Sequence, residues 1–126
     1  MRDAGIWDAE QVLQDSPMGD EPVKWVYLAE GAHSTVNIVQ GGSIDYQGPP
    51  VSFPHVHKEH DETLYILKGE GQFRLGDRTL PFRAGHIVFI PAGMVHTPIA
   101  TGYVAVLSIY APYFDPQNPD RTFVES

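Results

Sequence analysis

Apolar residues recur along this chain in short runs with a period of two, broken by glycine, proline and charged residues. Alternation of that kind sends successive side chains to opposite faces of an extended backbone. It predicts strands from Trp25 to Ala29, Ser34 to Gln40, Ser43 to Tyr46, Thr63 to Lys68, Gly71 to Leu75, Arg78 to Phe82, Ile87 to Ile90, Met94 to Thr97 and Tyr103 to Tyr110. Gly69-Glu70 and Gly76-Asp77 fall where hairpins must reverse. The eleven prolines and twelve glycines suit many short strands joined by tight turns and argue against a helical bundle. Residues 1–22 are polar and weakly patterned, with Trp7, Val12 and Leu13 available to dock as a short helix or arm. The tail after Ala111 carries Pro112, Pro116 and Pro119 and reads as an irregular surface strap. The expected organisation is one all-β domain over residues 23–111, an N-terminal arm over 1–22 and a C-terminal strap over 112–126. At 126 residues, one such domain can bury roughly two-thirds of its unfolded surface.

Within that pattern, four residues carry chemistry. His55 and His57 are two apart, so in a strand they share a face while Val56 points away. Lys58, Glu59, His60 and Asp61 have the polarity of a short turn, after which Glu62 opens a strand and faces inward with Leu64 and Ile66. His96 follows Ile87-Val88-Phe89-Ile90 and the turn Pro91-Ala92-Gly93, so it begins the next strand and closes the set from across the fold. Three imidazoles and a carboxylate are good ligands for a divalent first-row metal. The ligand set expected for one ion is His55, His57, Glu62 and His96. His60 and His86 read as turn or surface residues. Tyr46, Phe53, Phe89, Met94 and Tyr110 are candidates for cavity lining or ordinary core.

At these residues the chain resembles the cupin superfamily. The first cupin motif is a glycine, a spacer, H-x-H, a glutamate and a glycine, here His55-Val56-His57, Glu62 and Gly69. The second, G-D, a spacer, P-x-G and a histidine, is similar to Gly85, Pro91-Ala92-Gly93 and His96. Together they span about residues 48 to 96. The leading glycine is Gly48, one place off a strict spacing, with Pro49 at the expected position; His86 stands where the second motif has aspartate, and Ala100 where it often has asparagine. The resemblance implies a single-domain cupin, a double-stranded β-helix or jelly-roll barrel of two antiparallel sheets, with one divalent ion per chain, iron, manganese, nickel or zinc. It also implies a homodimer paired through edge strands or N-terminal arms, for which Trp7, Val12, Leu13, Trp25 and Tyr27 offer apolar material.

Charge and composition narrow the partners. Eight basic against sixteen acidic residues give a net charge of -8 with no basic stripe, which opposes a grip on nucleic acid. The absence of cysteine removes disulfides, thiolate nucleophiles and sulfur-rich metal sites. No apolar run approaches membrane-spanning length, and the N-terminus lacks the basic-then-apolar pattern of a signal segment; a cytoplasmic location is expected. A ligand carboxylate would have to find Arg74, Arg78, Arg83, Arg121 or the ion itself. Such a centre leaves about two open positions on a six-coordinate ion. The expected function is therefore enzymatic, on a small oxygen-bearing molecule, with dioxygenase-type chemistry placed first. Isomerase, lyase or cyclase chemistry with the metal as Lewis acid, and non-catalytic small-molecule binding, are the alternatives. A proton-transferring enzyme needs a base besides Glu62, and the sequence offers only Tyr46 and His60.

Overall fold

A computed structural model describes residues 4–42, 54–100 and 102–124. Tyr46, Phe53, Gly48, Pro49 and the strand expected from Ser43 to Tyr46 lie outside the described residues.

Among the described residues, ten strands and one helix follow the chain in the order α1 (Ala9–Asp15), β1 (Val23–Glu30), β2 (Thr35–Gly41), β3 (His55–Val56), β4 (Asp61–Lys68), β5 (Glu70–Leu75), β6 (Arg78–Arg83), β7 (Ile87–Ile90), β8 (His96–Ala100), β9 (Val104–Ala111) and β10 (Thr122–Phe123). They form two antiparallel five-stranded sheets, ordered β1-β2-β9-β4-β7 and β10-β3-β8-β5-β6. The barrel expected from the sequence is corrected by this topology. Neither sheet closes on itself, and among the described residues no ladder joins β7 to β6 or β1 to β10. The edges explain why. β10 has two residues and β7 four, while edge strand β6 carries Pro81, which has no N–H to donate to a further strand.

The register fixes which residues face inward. On the first sheet Glu62, Leu64 and Ile66 of β4 lie beside Tyr110, Ser108 and Val106 of β9, and these beside Thr35, Asn37 and Val39 of β2. At the β4-β7 end the interior is apolar: Leu64, Ile66, Phe73, Phe82, Val88 and Ile90 pack into one cluster. The inward positions nearer β1 and β3 are instead polar or aromatic, and the candidate ligands stand there. Phe89, a candidate cavity residue, is 55% exposed on the outer face because alternation in β7 turns Val88 and Ile90 inward.

The arm contributes its own small core. Asp8 caps α1 by accepting from the Gln11 amide, and Leu13 packs with Leu28, Ile38 and Ala105 on the outer face of the first sheet. Between β4 and β5 the chain leaves one sheet for the other at Gly69, whose φ of +92° suits glycine alone and whose added Cβ would strike the Tyr103 carbonyl.

Candidate metal centre

Strand pairing assembles the histidines. His55 opens β3 and His96 opens β8, and the two are register partners across that ladder. His57 follows β3 directly. Their three rings stand 4.3–5.0 Å apart between centroids, with one ligand nitrogen from each within 4.8 Å of the others. Glu62 arrives from the facing sheet, its Oε1 3.5 Å from Nε2 of both His57 and His96.

The hydrogen bonds behind the rings decide which nitrogens point at the centre. His57 Nδ1 lies 2.6 Å from the Asp120 carbonyl, and His96 Nδ1 lies 3.0 Å from the Met94 carbonyl. A carbonyl only accepts, so each Nδ1 carries the proton and donates it. Each Nε2 is then the nitrogen turned toward Glu62. Both are buried and have no hydrogen-bond partner among the described residues, although a buried unpaired polar atom costs about 1–3 kcal/mol. Two imidazole nitrogens and a carboxylate oxygen thus face one another at 3.5 Å, a donor set that a divalent cation fits. Ligands about 2.1 Å from one ion sit roughly 3 Å apart at a right angle and roughly 4 Å apart across it. The observed spacings close on such an ion with small side-chain shifts. The buried histidine triad is capable of holding a divalent metal, and the donor set fits it.

Glu62 is itself held. Ser108 donates to its Oε2 at 3.0 Å, and the Tyr110 hydroxyl bonds the same carboxylate. Burial opposes ionisation of Glu62, but the facing His57 and His96 rings outweigh it and keep the carboxyl well below its usual range. The Tyr110 phenol is pushed well above its ordinary value, first by burial and then by the charge of Glu62, so it remains a neutral donor.

A second group organises the loop between the ligands. Asp120 accepts from the Lys58 amide at 3.1 Å, the Glu59 amide at 2.7 Å and His60 Nδ1 at 2.7 Å. Burial opposes its ionisation, yet His60 and the two amides hold the carboxyl below its ordinary range. His60 Nε2 meets the Tyr113 carbonyl at 2.8 Å. With both nitrogens engaged, His60 fastens the loop to the tail rather than offering a free lone pair. His86 sits on the exposed turn after β6, where its ring accepts from the Arg83 amide.

Sequence reading found the four residues that converge but missed Asp120, Ser108 and the supporting role of Tyr110. Ser108 left a signal, a polar residue at an inward position of the apolar run from Val104 to Tyr110. Asp120, in a proline-containing tail distant in sequence, left none.

The cupin-domain family matches residues 44–110, more than half of the chain, and the protein belongs to that family. An uncharacterized protein of Aquifex aeolicus is 38% identical over 69 residues, covering 54% of this chain; the match spans 57% of that relative's length. Among solved structures, an uncharacterized conserved protein with a double-stranded beta-helix domain from Klebsiella pneumoniae superposes with a TM-score of 0.74 at 19% identity, over 98% of this chain and all of the other. KdgF from Halomonas gives 0.67 at 18% identity, over 78% and 87% of the two chains. The PAC13 protein of Streptomyces, crystallised with uridine, gives 0.62 at 20%, over 87% and 82%. These likenesses carry the fold. No helix among the described residues is long and apolar enough to cross a membrane.

Proposed function

We propose that this cupin binds one divalent ion through His55, His57, His96 and Glu62 and uses it to hold and polarise a small oxygen-bearing molecule, in isomerase-, lyase- or cyclase-type chemistry. The observation that carries the reading is the pair of buried Nε2 atoms, without hydrogen-bond partners among the described residues, facing the Glu62 carboxylate. When bound, the ion supplies Lewis acidity toward a carbonyl or hydroxyl oxygen. The chain's own residues supply the rest. The Asp120 and Met94 carbonyls fix the ring tautomers, Ser108 and Tyr110 orient the carboxylate, and the apolar cluster beneath restricts water. Tyr110 stays a neutral hydrogen-bonding group beside Glu62.

The second reading is non-catalytic binding of such a molecule, with the same residues. Dioxygenase chemistry, placed first from the sequence, needs an ion that handles dioxygen, such as iron, and ranks behind both. Metal identity and oxygen dependence separate the three. Protein purified from its native host without chelator is expected to contain manganese, nickel or zinc and to turn over a bound oxygenated compound under anaerobic conditions. Iron together with consumption of dioxygen on adding catechols, diketones or hydroxy acids contradicts the proposal. The homodimer is proposed from the sequence, and a monomer mass in light scattering contradicts it.

A further inference from the structure

Asn37 is fully buried, and among the described residues neither its amide nitrogen nor its amide oxygen has a hydrogen-bond partner. It stands in the middle of β2, register partner of Ser108 on one side and Tyr27 on the other. Partners in an antiparallel ladder share a face, with Cβ atoms about 5 Å apart. Ser108 donates to Glu62, so Asn37 lies one strand beyond a residue that touches the proposed ligand carboxylate, on the same inner face. Buried amides are nearly always paired, and leaving one bare forfeits several hydrogen bonds it could make. A side chain of that kind, directed between the sheets beside a metal centre, is suited to an oxygen-rich guest.

Beside it lies a second recognition element. Trp25 and Tyr27 of β1 share that inner face, and their rings stack at 6.5 Å with 13° between planes. The Arg121 guanidinium sits 5.5 Å over the Trp25 ring. Arg121 precedes β10 on the opposite sheet, next to Asp120, whose carbonyl holds His57. Among the described residues no carboxylate pairs with Arg121. A half-buried guanidinium held on an aromatic ring is suited to a planar anion.

We propose that Asn37 and Arg121 are specificity residues that select a small hydroxy-carboxylate, Arg121 pairing with its carboxylate and Asn37 with a hydroxyl, while the centre takes its remaining oxygens. The proposal rests on the metal reading above, and its test separates the two. Metal uptake is measured first, by elemental analysis of manganese-treated protein after gel filtration. Binding of glycolate, L-malate and D-gluconate, with D-sorbitol as the neutral control, is then measured by calorimetry on the full chain with and without manganese.

At least one acid is expected to bind more tightly than sorbitol. Asn37→Val should weaken that acid about tenfold, the scale of one hydrogen bond to a charged or polar ligand, with metal content unchanged and no loss of thermal stability in the ligand-free protein. Arg121→Gln should remove the preference for the acid while leaving sorbitol binding where it was. Absence of manganese uptake with Asn37-dependent acid binding defeats the metal reading and leaves this one standing. No acid binding above sorbitol, or an Asn37→Val protein that is less stable but binds normally, overturns it.

Discussion

Replacing Asp120 by alanine tests whether the tail shapes the centre. The carboxylate accepts three hydrogen bonds, from Lys58 N, Glu59 N and His60 Nδ1. Lys58 and Glu59 are exposed, so water replaces the lost acceptor for their amides at about 0.5–1 kcal/mol each. His60 is buried, and stripping its Nδ1 costs about 1–3 kcal/mol. The expected loss for Asp120→Ala is therefore about 2–5 kcal/mol in urea denaturation of the metal-free protein. The backbone carbonyl that holds His57 survives the substitution, so the centre should weaken rather than vanish, by roughly 10–100-fold in affinity for manganese or zinc. Asp115→Ala, which removes one exposed contact to the Gln117 amide, serves as the control at about 0.5 kcal/mol. The pH dependence has a definite sign. The Asp120 carboxyl is depressed in the folded state below its ordinary 3.8, so its contribution is fully present above that value and fades as the pH falls through the folded one. The gap attributable to this carboxylate should shrink only below about pH 3.8. A loss under about 0.5 kcal/mol with unchanged metal affinity would refute the role assigned to Asp120.

Ser108→Ala removes the donor to Glu62 Oε2; metal affinity should fall about tenfold in competition titration while the fold persists. Ile66→Ala empties the fully buried centre of the apolar cluster and should cost about 3–4 kcal/mol in urea unfolding. Gly69→Ala should destabilise more than Gly76→Ala, by about 1 kcal/mol or more in thermal unfolding: both glycines have positive φ, but only Gly69 sets the new methyl against a carbonyl.

Periodicity made the strands legible where burial alternates, as in β4 with its inward Glu62, Leu64 and Ile66. The H-x-H spacing put His55 and His57 close together, although His57 lies just past the end of β3, and a glycine turn marks where β8 and His96 start. Closure was not legible. It depends on what pairs at the edges, and the runs Arg78–Arg83 and Ile87–Ile90 look the same at an edge as inside a sheet. The arrangement around the ligands was hidden for a different reason: the Asp120 contacts span about sixty positions of sequence and rest on geometry that no local pattern encodes. Asn37 did leave a signal, a polar residue at an inward position of Thr35–Gly41, whose meaning emerged only with the register to Ser108.

The metal centre is the claim on which the functional reading depends, and anomalous diffraction from crystals of protein never exposed to chelator tests it most directly. The expected map shows a single strong peak within about 2.0–2.3 Å of the Nε2 atoms of His57 and His96, a ring nitrogen of His55 and Oε1 of Glu62, and the peak disappears in a His57→Ala, His96→Ala double variant that still folds. A map without a peak at these side chains, from protein soaked in manganese and zinc, would contradict it.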